Sequence, residues 1–148
     1  METMLKISDA ASLALHATVF LASNPDSRFS NRQIASELQV SEAHLSKVLQ
    51  RLSKSRLVKS NRGAKGGFVL GKSSDDISLL DVFESIEGPF VAKHCILNTQ
   101  VCNENNCIFG HLLKSVEKQV YDYLSGTILS DLSDFFNNRN TESPNYLS

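Results

Sequence analysis

Apolar side chains recur every three to four residues along most of the chain, the period of a helix that buries one stripe. Leu13, Ala14, Ala17, Phe20 and Leu21 make the first stripe. Ser8 stands in the N-cap position before it and Ser23-Asn24-Pro25 stops it, so an amphipathic core helix is expected between them. Ser30 and Gln33 have the spacing of a capping box, and Phe29 and Ile34 that of a hydrophobic staple. This second helix runs only to about Leu38, because Ser41 can cap a third that carries Leu45, Val48, Leu49 and Leu52 on one face. Gln39-Val40-Ser41 is then a tight turn, and the two short helices form a helix-turn-helix.

Past Arg56 the period changes. Leu57-Val58-Lys59-Ser60 and Phe68-Val69-Leu70 read as strands flanking Asn61-Arg62-Gly63-Ala64-Lys65-Gly66-Gly67, a hairpin with a glycine-rich basic tip. A helix-turn-helix followed by such a hairpin is a winged helix. The competing reading of the glycines, a nucleotide-phosphate loop, lacks the Walker spacing and its Gly-Lys-Ser/Thr ending. Ser78 and Asp81 repeat the capping box, Ile77 and Val82 the staple, and Gly88-Pro89 stops the helix. Leu79, Leu80, Val82, Phe83 and Ile86 are expected to close the core.

From Phe90 to Asn106 there is no helical period, and compact domains reserve loops of this length for functional or disordered segments. From Ile108 a long helix presents Leu112, Val116, Val120 and Leu124, with Leu113 and Tyr123 beside them. Ser125-Gly126 interrupts it, and Thr127 can cap a last short helix through Leu132 to Phe136. A lone amphipathic helix needs a surface on which to bury its stripe, and a second copy of itself is the simplest. The expected fold is mostly α: a winged helix-turn-helix, small α+β, with a long C-terminal dimerisation helix. Four units follow: the winged helix at 1–88, a cysteine-bearing sensor loop at 89–107, the dimerisation helix and its short companion at 108–136, and a flexible tail at 137–148.

The chain's 148 residues, 41% hydrophobic and 21% charged, fit one folded domain and exclude a multidomain enzyme. The apolar stretch from Ala10 to Ala22 is broken by His16 and falls short of the roughly 18 to 20 apolar residues of a membrane span. It also lacks the basic start and small-residue cleavage site of a signal peptide, so a cytoplasmic protein without a membrane partner is expected. The net charge of −1 averages over opposites: Arg28 to Lys72 holds ten basic residues against Glu37 and Glu42, giving +8, and the remainder sums to −9. A basic module joined to an acidic one suits a single face that meets phosphates, the alternative being a merely solvated surface. With no Ser-His-Asp grammar, paired catalytic carboxylates or phosphate loop, no enzyme is expected.

On the third helix, turning Leu45, Val48, Leu49 and Leu52 inward leaves Glu42, Ala43, His44, Ser46, Lys47, Gln50, Arg51 and Lys54 on the other faces, with Ser41 a further DNA-binding candidate at the helix start. The N-terminal part of such a face enters the major groove in helix-turn-helix proteins. Ser46, Lys47 and His44 are therefore candidates for base edges, and Arg51 and Lys54 for phosphates. On the hairpin, Arg62 and Lys65 supply charge, Arg62 is suited to a narrow minor groove, and Gly66 and Gly67 let the backbone approach a duplex. Each of these residues taken singly also reads as part of a solvated surface.

Cys95, Cys102 and Cys107 are spaced C-x6-C-x4-C. An odd number of cysteines in a reducing compartment argues against structural disulfides and leaves metal, redox or packing roles. Thiolates ligate iron-sulfur clusters and zinc alike, and neither a CxxC knuckle nor a ferredoxin run is present. Three thiols leave one coordination position open. His111 is the local candidate, four residues after Cys107 and so on the same face of the expected helix.

Ile7-Ser8-Asp9-Ala10-Ala11, the run Leu45 to Leu52, the wing from Arg62 to Leu70, Ile77 to Val82 with Ile86-Glu87-Gly88, and three cysteines before a long helix together resemble the bacterial winged-helix repressors of the IscR and NsrR type. The likeness reaches to about Phe136. It implies a homodimer on a palindromic element in double-stranded DNA, with operator affinity switched by an iron-sulfur cluster, 2Fe-2S or 4Fe-4S, held by the three cysteines. It also allows cluster-free members controlled by a protein partner or by direct thiol oxidation. The two cysteine intervals are unequal here, where the family commonly has nearly equal ones. In the NsrR-like branch, an aspartate matching Asp9 reaches the cluster from the partner's first helix; in the IscR-like branch, a histidine follows the last cysteine by three residues, one fewer than His111 does. A small iron-sulfur carrier with a winged fold is the reading from another class, and an electron carrier has no use for a +8 stretch.

Overall fold

In the computed structural model, which describes residues 7–63, 66–91, 101–103 and 106–137, the Ser8 hydroxyl accepts from the Ala11 N–H at 3.1 Å and starts α1 (Asp9–Ser23). Ser30 and Gln33 close the expected capping box, 3.1 Å one way and 2.8 Å the other, at the head of α2 (Asn31–Leu38). Ser41 accepts from the His44 N–H at 3.1 Å and begins α3 (Glu42–Lys54), whose buried face is Leu45, Val48, Leu49 and Leu52. Between these helices Gln39 takes the left-handed conformation at φ 56°, and Val40 N–H reaches back to the Ala35 carbonyl at 3.0 Å. That is the helix-turn-helix.

Arg56, also left-handed at φ 61°, ends α3 in the same way and turns the chain into a two-stranded antiparallel hairpin. Its strands are β1 (Val58–Asn61) and β2 (Gly67–Leu70), in register Val58 with Leu70 through Asn61 with Gly67. The ladder thus extends one residue into the expected tip on each side. Phe29, just before α2, bridges Phe68 on β2. After a short 3-10 turn over Ser74–Asp76, the second expected capping box, Ser78 with Asp81, opens α4 (Leu79–Glu87), which Gly88 ends at φ 80°.

The core lies where α1 meets α3, α4 and β2. This makes α1 more than amphipathic: every residue from Ala17 to Ser23 is buried. The buried Thr18 hydroxyl donates to the Ala14 carbonyl at 2.9 Å, so no polar atom is stranded there.

The C-terminal part differs from expectation at two points. The long helix α5 (Leu112–Gly126) begins four residues later than Ile108, because Gly110 turns left-handed at φ 58° and its N–H closes a tight turn on the Cys107 carbonyl at 2.9 Å. Thr127 does not cap the last helix; its carbonyl accepts from the Leu79 N–H, and Leu129 N–H donates to the Ile77 carbonyl, both at 2.9 Å. The final turn is a 3-10 helix over Leu129–Leu132, opened by the Asp131 carboxylate accepting from Ile128 N–H at 3.1 Å. Leu129 is fully buried and its turn packs on α1, so this segment joins the winged-helix core.

Candidate nucleic-acid interface and cysteine site

The four buried apolar residues of α3 fix which of its faces meets solvent. Ser41, His44, Lys47 and Arg51 are exposed and Ser46 is half-buried. The start of the helix is braced from α2: Asn31 Nδ2 donates to the Glu42 carbonyl at 3.0 Å, and Arg32 stands 3.9 Å from the Glu42 carboxylate. Ser41 is an intramolecular cap as well as an exposed residue. Arg51 donates to the Ile86 carbonyl at the end of α4. That contact joins residues 35 apart in sequence, so no local pattern encodes it.

On the wing, Arg62 is exposed directly after β1. Lys65 lies outside the described residues. The glycines have internal duties. Gly66 N–H donates to the Gly63 carbonyl at 2.8 Å, and a Cβ at Gly66 would collide with the Asn61 carbonyl. A Cβ at Gly67, φ 155°, would stand 2.9 Å from the Phe29 carbonyl oxygen. The close backbone approach expected of Gly67 is thus made to Phe29. Arg28, unremarked in the sequence beyond its charge, faces the Asn61 side chain at the wing base.

The cysteines follow α4 in the chain. Phe90 leads toward them, held between Phe83 and Tyr121 at ring-centroid distances of 5.9 and 5.4 Å, with its N–H on the Glu84 carboxylate at 2.7 Å. Cys102 and Cys107 are half-buried in non-helical backbone, Cys107 five residues before α5. Cys95 lies outside the described residues, as does His94 beside it. His111 is the exposed N-cap of α5, and Cys107 precedes the Gly110 turn. The two therefore do not share a helix face, which corrects the spacing argument for His111. Asp9 is exposed in the first turn of α1, where the Ser8 hydroxyl donates to the Glu87 carboxylate. Among the described residues, no three His, Cys, Asp or Glu side chains converge on one point.

On α5, only Leu124 is fully covered. Leu112 is 48% exposed and Tyr123 59%, while Leu113, Val116 and Val120 are half-buried. The expected apolar stripe is present and incompletely covered. Among the described residues, no helix is long and apolar enough to cross a membrane.

A mostly helical winged helix-turn-helix with a basic hairpin is the DNA-binding unit of a transcription regulator. The chain belongs to the Rrf2 family of iron-dependent transcriptional regulators, whose family model matches residues 7–134. It is 34% identical over 128 residues to an HTH-type transcriptional regulator of Aquifex aeolicus, covering 84% of this chain and 89% of that one. It is 31% identical over 107 residues to the HTH-type transcriptional regulator NsrR of Bacillus subtilis, covering 72% and 70%. Among solved structures it resembles CymR, the global cysteine regulator of B. subtilis, with a TM-score of 0.75 and 31% identity over 89% of this chain and 98% of that one.

Proposed function

We propose that the chain acts as a homodimeric repressor on a palindromic operator, its affinity set by an iron-sulfur cluster on Cys95, Cys102 and Cys107. The observation that carries the DNA half is the pairing of an exposed, basic α3 face with an exposed Arg62 one hairpin away, on a stretch of net charge +8. In this reading His44, Ser46 and Lys47 meet base edges, Ser41 lies at the helix start beside the backbone, and Arg62 with Lys65 enters the minor groove. Residues 1–88 form the DNA-binding unit, 89–107 the sensor segment, and α5 the dimer seam.

The donor set suits the cluster: Cys102 and Cys107 are thiols in irregular, half-buried backbone that can wrap around a ligand, and thiolates are the usual ligands of such clusters. When bound, the cluster supplies a group sensitive to iron supply, nitric oxide or oxidation. Asp9 of the partner subunit is the preferred fourth ligand and His111 the alternative, both being exposed.

An anaerobic visible absorption spectrum with iron and sulfide analysis tests this directly. Cluster absorbance with bound iron and sulfide is expected, and protein without iron or sulfide removes the cluster. Loss of absorbance in neither Asp9→Ala nor His111→Ala removes both fourth-ligand candidates. The similarity to CymR, which has also been solved in an oxidized form from Staphylococcus aureus, supports a second reading, in which the thiols respond to oxidation or a partner protein exerts control.

A further inference from the structure

The segment before α2 is stitched to the wing at two adjacent points. Phe68 N–H donates to the Phe29 carbonyl at 2.7 Å and Phe29 N–H to the Phe68 carbonyl at 3.4 Å. One residue earlier, the Arg28 guanidinium faces the Asn61 amide. With its oxygen turned to Arg28, Asn61 accepts from Nη1 and, at 2.9 Å, from Nη2, and donates to the Ser60 carbonyl at 3.2 Å. The reverse orientation would set its NH2 against the guanidinium donors, so chemistry selects the first. Asn61 pairs with Gly67, which carries no side chain, and is the last residue of β1 before Arg62.

We propose that Arg28 is a positioning residue for the wing: through Asn61 it sets the direction in which Arg62 leaves the sheet, and so serves operator selectivity. This rests on the reading that Arg62 enters the operator. A hairpin tip is held at its base, and holding it in the docking conformation lowers the ordering cost of binding. Lysine is no substitute, because the planar guanidinium fork presents several donors at once and an ammonium is a point charge.

Duplexes selected from random-sequence DNA by the wild-type protein serve as the specific probe, and a shuffled duplex of the same composition as the non-specific one. Arg28→Ala, Arg28→Lys and Asn61→Ala are each expected to weaken the selected duplex roughly three- to tenfold. Binding to the shuffled duplex and the salt dependence stay as in wild type, and in an Arg62→Ala background none of the three costs anything further. Arg28→Lys keeps charge and stem, so a folding defect in the alanine variant does not disable the test. A loss shared by both duplexes, restored by lysine and with the salt slope lowered by about one, identifies a phosphate contact and overturns the proposal. Additivity with Arg62→Ala, or no loss at all, overturns it too. If Arg62→Ala itself leaves the selected duplex unaffected, the wing reading has failed and the proposal falls with it.

Discussion

The guanidinium of Arg51, in the last turn of α3, donates to the carbonyl of Ile86 in the last turn of α4. A cation at the C-terminal end of a helix meets carbonyls that have no intrahelical partner and the negative end of the helix dipole. Arg51 thereby ties the recognition helix to the helix that leads into the cysteine segment. Arg51→Ala should cost about 1 kcal/mol, below the roughly 1.5–3 kcal/mol of a hydrogen bond to a charged group because the residue is exposed. Thermal denaturation reads this as a lowered Tm. The salt slope of DNA binding should stay at the wild-type value, whereas a phosphate clamp would lower it by about one and leave Tm alone.

Gly67→Ala should be more damaging than a surface substitution. Its Cβ would stand 2.9 Å from the Phe29 oxygen and 3.0 Å from the Phe29 nitrogen, all of it backbone that cannot swing away. The Phe29–Phe68 bridge must open or the hairpin must shift, at a cost of about 1–3 kcal/mol. Hydrogen exchange at the Phe68 amide checks it: protection should fall in the variant while amides in α1 keep theirs. Unchanged protection at Phe68 would show that the bridge tolerates the methyl group.

These two contacts also mark how far the sequence can be read. Ser8, Ser30, Ser41 and Ser78 all cap where the pattern places them, because a cap is a bond across three residues and its chemistry is written locally. The bridges Phe29–Phe68 and Ser78–Ile128 join segments tens of residues apart, and no local period encodes them. The start of α5 differs from the apolar pattern for a related reason. The apolar spacing continues through Ile108, but Gly110 takes a left-handed turn that only the folded backbone reveals. At the site, the exposed face of α3 and the wing arginine were legible, while Arg28 and the Arg51–Ile86 contact required the three-dimensional neighbours.

Gln39 and Arg56 end α2 and α3 in the left-handed region without being glycine. A side chain there costs about 1 kcal/mol, partly offset by the freedom glycine would add to the unfolded chain. Gln39→Gly should therefore stabilise the helix-turn-helix by a few tenths of a kcal/mol, up to about 0.5. Denaturant unfolding should show a higher midpoint at unchanged m-value. A lower midpoint would mean that the Gln39 side chain makes a compensating contact.

The uncovered stripe on α5 gives a prediction about assembly. Leu112 is 48% exposed and Val116 half-buried, and neither contributes to the winged-helix core. Val116→Asp should leave the domain folded by circular dichroism and yield a monomer in sedimentation, with specific DNA affinity falling because two linked half-sites become two single ones. If α5 is the seam, a carboxylate at its centre would be buried between two copies at a desolvation cost. A dimer of wild-type strength in this variant would place the seam elsewhere.

The same helix makes the cysteine variants informative. Cys107 precedes the Gly110 turn, and α5 follows that turn without further linker, so a change at the thiols acts on the element proposed to join the two protomers. In a twofold dimer, the recognition helices must sit about 34 to 36 Å apart to enter successive major grooves, and a small rotation at the seam changes that separation. Phe90, which precedes the cysteine segment in the chain, packs on Phe83 of α4 and on Tyr121 of α5. A coupling of about 1 to 3 kcal/mol, typical of allosteric proteins, corresponds to a roughly 5- to 150-fold change in operator affinity. Cys95→Ala, Cys102→Ala and Cys107→Ala should all remain dimers and should share one altered affinity, equal to that of wild-type protein stripped of iron by a chelator. Mobility-shift titrations at fixed salt measure it. Three variants that bind as tightly as anaerobically purified wild type would remove the cysteines from the switch and leave control to a partner protein.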